Sequence, residues 1–258
     1  MSAAPTPEGS GTLAFGMDIG GTGMKGAVVD LTDGTLAAPR FRLDTPRPAT
    51  PEAMADTAHK VAANFDFHGP CGVTFPGVVT HGVVHTSANV DSSWQGVDLV
   101  HLLTPRLPGP VTALNDADAA GLAEARYGAG KGQQGLVVVI TFGTGIGTAL
   151  VYDGQLVPNA ELGHLELDGH DAESKAAASA RERDDLDWEQ WAKRADRYLR
   201  HLENLIWPDL FIFGGGISKK PDKWVRHLKT RTPFVIAAMA NNAGIVGAAL
   251  ASAEGKLG

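Results

Sequence analysis

Residues 18–26 read DIGGTGMKG, with four glycines in nine positions directly after an apolar run. Glycine is this dense where a backbone must turn sharply or approach a partner closely, and exposed N–H groups in such a turn point at anions such as phosphate. A Walker loop is excluded, because Lys25 is followed by Gly26 where that loop needs Ser or Thr. The pattern G-x-G-x-x-G occurs at 21–26, but a dinucleotide site needs a helix there, and residues 27–31 predict a strand. We therefore expect a strand–glycine–strand hairpin.

The composition is typical of a soluble globular protein. Of 258 residues, 43% are hydrophobic and 20% are charged, and the net charge is −7. The negative balance argues against nucleic acid or an anionic membrane as a partner, and no apolar run is long enough to span a bilayer. The single cysteine, Cys71, excludes an internal disulfide. The first dozen residues lack the features of a signal peptide and predict a frayed tail, so we expect a cytoplasmic protein.

The glycine hairpin has a second copy further along the chain. Residues 143–154, GTGIGTALVYDG, resemble 21–34, GTGMKGAVVDLTDG, since both turn through Gly-Thr-Gly and end in Asp-Gly. Chance could produce this likeness, but two related halves would place two sets of backbone donors around one phosphate chain. We expect a small α/β lobe at 12–112, with a final helix at 241–254 packed back on it, and a large α/β lobe at 113–240.

Hydrophobic periodicity predicts alternating strands and helices. Strands are expected at 13–18, 25–31, 36–43, 71–75, 78–85, 111–114, 135–142, 146–154 and 210–213, and helices at 51–64, 116–127, 188–207 and 243–254. In the longest helix, one face is expected to be apolar and to comprise Trp191, Ala195, Tyr198, Leu202, Leu205 and Ile206.

Two polar side chains stand where a predicted strand ends and a helix begins. Asn115 and Asp116 open the sequence NDADAA. A carboxylate in this position can cap the helix that follows, which is a purely structural role. It can also act as a general base, because a sugar hydroxyl is a poor nucleophile until a carboxylate accepts its proton. The residues alone leave both interpretations open.

A second polar group lies in the segment PNAELGHLEL. Glu161 and His164 are three residues apart, so a helical turn would place both on one face, where they suit the hydroxyls of a sugar. An ordinary solvated pair is the alternative, and zinc is excluded because two nearby groups and no cysteine are too few ligands. Asn89 and Trp94 occur together in SANVDSSW. An Asn in a loop usually forms a turn, but beside a sugar it would bind hydroxyls.

Eight segments together carry a resemblance to a known family. In chain order they are DIGGTGMKG, FPGVV, SANV, LNDADAAGLAEARYG, TFGTGIGTAL, ELGHLEL, FGGGIS and NNAGIVGAA, spread over residues 13–253. In their order and spacing the chain resembles the sugar kinases of the repressor, open-reading-frame and kinase (ROK) family, and within it the polyphosphate glucokinases. The resemblance implies an α/β, actin-like ATPase (ribonuclease H-like) fold with a sugar and phosphate cleft between two lobes.

The resemblance also implies roles for individual positions. Asp116 matches the catalytic base that acts on the sugar 6-hydroxyl, and Asp18 matches the residue near the metal, which we take as Mg²⁺. The sugar-binding positions are Asn89, Asn115, Asp116, Glu161 and His164. The phosphate-binding positions are Asp18, Gly20, Gly21, Thr22, Gly23 and Lys25 in the first loop, Thr141, Gly143, Thr144 and Gly145 in the second, and Gly214 and Gly215 in a third loop.

The chain departs from the wider family after His164. Many members continue with C-x-C-G-x-x-G-C-x-E, a zinc site whose Glu also holds the sugar, whereas residues 163–188 here contain no cysteine. We therefore expect no zinc and expect His164 to bind sugar. Glu173 and Glu182 are the candidates to replace the missing Glu.

A basic segment bears on the phosphoryl donor. Residues 218–231, SKKPDKWVRHLKTR, hold six Lys or Arg and one Asp in a chain of net charge −7. Polyphosphate is strongly anionic, so a basic track would attract and align it. The alternative is an ordinary amphipathic helix with Trp224, Val225 and Leu228 inward. Nucleic acid is less favoured, because no aromatic stacking platform accompanies the segment.

Together these observations predict a glucokinase that transfers a phosphoryl group from inorganic polyphosphate to the 6-hydroxyl of glucose, with mannose as a further candidate acceptor. An ATP-dependent glucokinase of the same family is the nearest alternative. A non-catalytic sugar-binding protein and an actin-like assembly protein are alternatives of other classes. A homodimer is expected from the family resemblance alone.

Overall fold

A computed structural model describes residues 13–255 of the chain. These residues form two compact units, of which the first comprises 13–114 with 244–255 and the second comprises 115–243. The tail predicted at the N-terminus lies outside the described residues. Across 13–255, no helix is both long and apolar enough to cross a bilayer.

Strands and helices alternate in both units. The strands are β1 (Leu13–Ile19), β2 (Gly23–Asp30), β3 (Thr35–Leu36), β4 (Phe41–Asp44), β5 (Cys71–Phe75), β6 (Val79–Thr80), β7 (Val83–Val84), β8 (Val111–Asn115), β9 (Leu136–Phe142), β10 (Ile146–Tyr152), β11 (Gln155–Val157), β12 (Glu166–Leu167), β13 (His170–Asp171), β14 (Leu210–Gly214) and β15 (Phe234–Ile236). The helices are α1 (Pro51–Ala62), α2 (Leu99–Leu103), α3 (Asp116–Arg126), α4 (Ala172–Ala176), α5 (Ala178–Arg183), α6 (Trp188–Ile206) and α7 (Ala243–Glu254).

The first unit is built on a sheet with the strand order β3-β2-β1-β5-β8, in which β4 also pairs with β2. Strands β1 and β2 form the antiparallel hairpin expected from the glycine-rich stretch, whereas β1 and β5 run parallel. Helix α7 returns to this sheet and packs closely on β1. A Cβ at Gly16 would lie 1.9 Å from the carbonyl oxygen of Ile245, so only glycine permits this approach.

The second unit is also built on a sheet, with the strand order β11-β10-β9-β14-β15. Strands β9 and β10 form an antiparallel hairpin, and β14 pairs in parallel with both β9 and β15. Helix α6 buries its aromatic face against this sheet, where the rings of Trp191 and Tyr198 meet Phe142 edge-on. A capping box of Asp187 and Gln190 fixes the start of α6.

Most predicted elements are confirmed, and the exceptions have local causes. The strand predicted at 36–43 is two short strands, β3 and β4, and that predicted at 78–85 is a hairpin that turns through His81 and Gly82, both at positive φ. The helix predicted at 188–207 is confirmed as α6, but Leu205 is 55% exposed rather than part of the buried face.

Candidate active site

The turn between β1 and β2 holds the first glycine loop. The N–H of Gly20 donates to the carbonyl of Gly23 at 3.1 Å, which closes the turn. A Cβ at Gly21 would lie 2.8 Å from the carbonyl oxygen of Asn89, so glycine is required there. Asn89 itself is exposed and has a φ of +62°, a left-handed conformation that Asn tolerates. The structure therefore brings two predicted site segments of the first unit, the loop and Asn89, into contact.

Asp18 and Lys25 are opposite each other in the hairpin register. The ammonium of Lys25 lies 2.7 Å from Asp18 Oδ2, and the hydroxyl of Thr74 donates to Asp18 Oδ1 at 3.2 Å. Mg²⁺ is usually held by one or two carboxylates together with substrate phosphates, so this single carboxylate fits such a site. Among residues 13–255, no cluster of three or more His, Cys, Asp or Glu could hold a metal without substrate.

Two arginines with no motif in the sequence contact the first glycine loop. Arg42 Nη2 donates to the carbonyl of Thr22 at 3.0 Å, and Arg47 Nη2 donates to that of Gly21 at 2.9 Å. Both side chains are exposed, and Arg42 also pairs with Asp44. A guanidinium has five N–H donors, so each arginine retains donors for an anion at the loop. Arg42 reaches the loop because β4 pairs with β2, a contact that local sequence does not reveal.

The junction of β8 and α3 places both Asn115 and Asp116 against the first turn of the helix. The N-cap residue is Asn115, whose Oδ1 accepts the N–H groups of Ala117 and Asp118 at 2.7 and 3.2 Å. Asp116 Oδ1 accepts the N–H of Ala117 as well, at 2.9 Å, so its carboxylate also bonds the first turn although Asn115 is the N-cap. Asp116 is the first residue of α3, where the helix dipole favours a carboxylate, and its side chain is exposed. Asn115 Nδ2 lies 3.5 Å from Glu161 Oε1, which places Glu161 near the same helix start.

Asp118 is a buried carboxylate near the start of α3. It is 1% exposed, and its Oδ2 accepts the N–H of Asn159 at 2.7 Å, while its Oδ1 has no hydrogen-bond partner. Burial, against the opposing effect of the hydrogen bond from Asn159 and together with the nearby charges of Glu161 and Asp116, raises the pKa of Asp118 to about 7. Asp118 thus joins α3 to the segment that carries Glu161.

The hairpin of β9 and β10 holds the second glycine loop, from Thr141 to Gly145. The N–H of Gly143 donates to the carbonyl of Gly145 at 2.9 Å. Glu173 Oε2 accepts the N–H of Ile146 at 2.7 Å and fills the space beside Gly145. Of the two candidates to replace the missing Glu, Glu173 is therefore the one bonded at this loop.

The third predicted loop lies beside the second. Gly214 ends β14 opposite Thr141, and Gly215 follows it with a φ of +80°. A Cβ at Gly215 would lie 2.4 Å from the carbonyl oxygen of Phe142. Thr144, at the tip of the second loop, is exposed, and Ser179 donates its hydroxyl to the carbonyl of Thr144 at 2.6 Å.

Glu161 and His164 flank a 3₁₀ helix, Leu162–His164, which brings their side chains together as their spacing predicted. His164 Nε2 lies 3.9 Å from Glu161 Oε2, and Nδ1 lies 2.8 Å from Asp171 Oδ2. Burial raises the pKa of Glu161. The hydrogen bond to Asp171 raises the pKa of His164, and the charges of Glu173 and Glu161 act in the same direction.

One alternative considered for the sequence fails on the structure. The amphipathic helix considered for 218–231 does not form, because three short 3₁₀ turns end at Lys219, Lys223 and His227. Trp224 is nevertheless buried as that alternative supposed. Trp94, in the same segment as Asn89, is fully buried, and its Nε1 donates to the carbonyl of Ala49 at 3.0 Å, so it belongs to the core.

Known proteins share both the sequence and the fold. A profile of the ROK family matches residues 14–179. The polyphosphate glucokinase of Mycobacterium tuberculosis is 58% identical over 239 residues, covering 92% of this chain and 90% of that protein. The crystal structure of inorganic polyphosphate/ATP-glucomannokinase from Arthrobacter sp. strain KM is 56% identical with a TM-score of 0.89, covering 95% of this chain and 99% of that one. A ROK family glucokinase from Streptomyces griseus, solved with glucose and AMPPNP, is 25% identical with a TM-score of 0.79, covering 94% and 99%.

Two α/β units, each with a strand–glycine–strand hairpin, define an actin-like fold of the sugar-kinase class. The extent of the family match and the identity to these relatives make the assignment specific. The chain belongs to the ROK family.

Proposed function

We propose that this protein transfers a phosphoryl group from inorganic polyphosphate to the 6-hydroxyl of glucose. The observation that carries the proposal is the environment of Asp116. Its carboxylate is exposed at the head of α3 beside a helix cap that Asn115 already supplies, and Glu161 lies next to that cap. The names of the relatives from Mycobacterium tuberculosis and Mycobacterium leprae, both polyphosphate glucokinases, support the donor and the acceptor.

Asp116 accepts the proton of the 6-hydroxyl as that oxygen attacks the terminal phosphate. Glu161 and His164 bind further hydroxyls, because a carboxylate accepts their protons while an imidazole offers one donor and one acceptor. Asn115 supplies an amide beside Glu161, and Asn89 is a further residue that we predict to bind sugar. Glu173 takes the place of the Glu that the chain lacks, because its carboxylate is held at the second glycine loop.

The glycine loops bind the phosphates through backbone N–H groups, and Lys25 supplies a positive charge at the first loop. Asp18 holds Mg²⁺ together with the phosphates. When bound, this ion neutralises charge that develops on the transferred group and its leaving partner. Arg42 and Arg47 extend the positive charge around the first loop for a donor that carries many phosphates.

Part of the basic segment 218–231 is available to the rest of the polyphosphate chain. Lys219 and Lys220 are exposed and lie four and five residues after Gly215, at the end of a short 3₁₀ turn. The side chain of Arg231 is already bound within the protein, because its guanidinium stacks 3.7 Å from the Trp207 ring and donates to Asn204 at 2.9 Å. The track of our proposal therefore leaves out Arg231 and keeps the exposed basic side chains Lys219, Lys220, Lys223, Arg226 and Lys229.

ATP as an alternative donor and mannose as an alternative acceptor have a specific basis. The Arthrobacter relative is named a polyphosphate/ATP-glucomannokinase, and 99% of its chain is covered here. The same glycine loops would serve either donor, because both donors end in a phosphate of the same geometry.

A coupled assay for glucose 6-phosphate tests the proposal. Purified protein is supplied with glucose or mannose, with polyphosphate or ATP, and with or without Mg²⁺. We expect turnover with polyphosphate, glucose and Mg²⁺, and none after chelation of the metal. Absence of turnover with polyphosphate, alongside turnover with ATP, would replace the proposed donor. Absence with both would favour the non-catalytic alternative.

The homodimer, the cytoplasmic location and the cleft expected between the lobes stay predictions. Light scattering during size-exclusion chromatography measures the oligomeric state directly, and a mass twice that of the chain is expected.

A further inference from the structure

Asp171 is the N-cap residue of α4 by position, but its side chain accepts no backbone N–H of that helix. It immediately precedes α4, a position at which an Asp side chain normally accepts a backbone N–H of the first turn. No such bond forms, and Asp171 Oδ2 instead lies 2.8 Å from His164 Nδ1. The hydroxyl of Ser174 in the same turn donates to the backbone carbonyl of Asp171 at 2.6 Å. The carboxylate of Asp171 is thus directed at the imidazole rather than at its own helix.

The hairpin of β12 and β13 brings Asp171 to this position. Its two turn residues, Asp168 and Gly169, both have positive φ, as a tight two-residue turn requires. Arg197 of α6 lies 2.7 Å from Asp168 and ties the tip of the hairpin to that helix.

The same helix also fixes the segment that carries His164. Tyr198, the neighbour of Arg197, donates its hydroxyl to the carbonyl of Leu162 at 3.2 Å. Both sides of the contact between His164 and Asp171 are therefore anchored on α6, and the pair is held by structure on each side.

We propose that Asp171 is a positioning residue that orients the His164 imidazole, with Nδ1 toward Asp171 and Nε2 toward Glu161, so that His164 can bind a glucose hydroxyl. The proposal rests on the proposed function, since it concerns the recognition of the same sugar. It adds a residue that has no contact with the sugar in that proposal and that acts through His164.

The chemistry follows from what a carboxylate can do. Because Asp171 only accepts hydrogen bonds when ionised, the proton of neutral His164 is held on Nδ1, and Nε2 keeps its lone pair. Nε2 then accepts a hydrogen bond from a sugar hydroxyl, and Glu161 is within reach to accept from the next one. Protonation of Nε2 removes the acceptor. Glucose binding is therefore expected to weaken as the pH falls through the pKa of His164.

Three titratable groups face His164, and they determine its pH response. Asp171 lies at Nδ1, Glu161 lies 3.9 Å from Nε2, and Glu173 contributes a further negative charge from α4. All three favour the imidazolium. Removal of the Asp171 charge should lower the pKa of His164 and move the weakening of glucose binding to lower pH.

Two substitutions of Asp171 separate its effect on the orientation of the His164 imidazole from the effect of its negative charge. Asp171→Asn keeps an oxygen that accepts from Nδ1–H but loses the charge, whereas Asp171→Ala loses both. We expect Asp171→Ala to raise KM for glucose about tenfold with a smaller change in kcat, and Asp171→Asn to raise it less than about threefold. The matched control is Asp168→Asn, which makes the same charge change in the same hairpin, keeps an oxygen that accepts from Arg197 and does not touch His164, and should leave KM within about twofold.

Nitrogen-15 NMR of the histidines in the full-length protein provides a readout that needs no turnover. We expect neutral His164 to carry its proton on Nδ1 in the wild type and in Asp171→Asn, to lose that preference in Asp171→Ala, and to titrate at lower pH in both variants. A wild-type KM for folded Asp171→Ala, or unchanged His164 signals, would overturn the proposal. If the wild-type protein itself fails to phosphorylate glucose, the proposed function fails instead, and the NMR titration still decides the orientation of His164.

Discussion

The two glycine hairpins have nearly the same backbone and different surroundings. In the first, Asp18 and Lys25 form an ion pair across the strands, and two arginines bind the carbonyls of the turn. In the second, the residues paired at the same place in the register are Thr141 and Gly147, which carry no charge. There the charge is supplied by Glu173, which accepts the N–H of Ile146. One backbone motif therefore has cationic side chains around it in the first unit and a carboxylate beside it in the second.

We propose that both turns bind phosphate and that this difference gives the second turn an additional task. A turn surrounded by cations and a single metal-binding carboxylate suits the phosphate donor. A turn whose neighbour is a carboxylate suits contact with the hydroxyls of an acceptor, because an ionised carboxylate only accepts hydrogen bonds. The predictions that follow test this division of labour in order of decreasing effect.

Asp18→Asn removes the carboxylate of the first hairpin and should lower kcat about a hundredfold or more, because metal-assisted charge stabilisation is lost. KM for glucose should change little. Steady-state kinetics over a range of Mg²⁺ concentrations measure the effect. The control Asp66→Asn makes the same charge change at an exposed position of the same unit. A kcat within twofold of wild type would remove Asp18 from the donor site.

Gly21→Ala and Gly143→Ala compare equivalent positions of the two turns. A Cβ at Gly21 would lie 2.8 Å from backbone and side-chain atoms of Asn89, whereas a Cβ at Gly143 would have no atom within 4 Å. We expect Gly21→Ala to destabilise the protein by about 1–3 kcal/mol and to lower kcat/KM about tenfold. Gly143→Ala should remain within about 0.5 kcal/mol of wild type. Equal effects in urea unfolding would show that the turns are not distinguished by their surroundings.

Arg42→Gln combined with Arg47→Gln removes two cations from the first turn and keeps hydrogen-bond donors. KM for polyphosphate should rise about fivefold to tenfold and KM for glucose should not change, because the charge interacts with the donor alone. The dependence of KM on salt should also weaken. Arg200→Gln, on the exposed surface of α6, is the matched control. Equal increases in both KM values would contradict the assignment of this hairpin to the donor.

Asp118→Asn should have the smallest effect, and its sign depends on pH. The pKa of Asp118 is raised to about 7 in the folded protein, so Asp118 stays protonated there over a range in which the unfolded chain ionises. Its contribution to stability is therefore complete at low pH and is lost as the pH rises to about 7. Relative to wild type, the melting temperature of Asp118→Asn should be higher at about pH 8 than at about pH 5, by roughly 3 °C or more. A difference that does not vary with pH would mean that Asp118 ionises normally.

Local patterns in the sequence predicted both hairpins and the helix that starts at Asp116. Gly-Thr-Gly between apolar runs predicts a turn between strands, and helix formers after NDAD predict α3, so neighbouring residues carry the information. The proximity of Glu161 and His164 was also predictable, because it depends on a spacing of three.

Contacts between distant segments could not be predicted in the same way. Arg42 reaches the first loop through the pairing of β4 with β2, Arg47 reaches it from the segment after β4, and Asp171 reaches His164 through a hairpin whose strands have two residues each. Periodicity does not identify strands this short. The N-cap could not be assigned from the sequence for a related reason: Asn115 and Asp116 are equally good capping residues, and the end of β8 decides between them.

The most direct measurement compares turnover and glucose binding in Asp116→Asn. The account predicts a fall in kcat of about a hundredfold or more, because the base is lost, with a dissociation constant for glucose within about threefold of wild type by calorimetry. A folded Asp116→Asn protein that phosphorylates glucose at close to the wild-type rate would contradict the account.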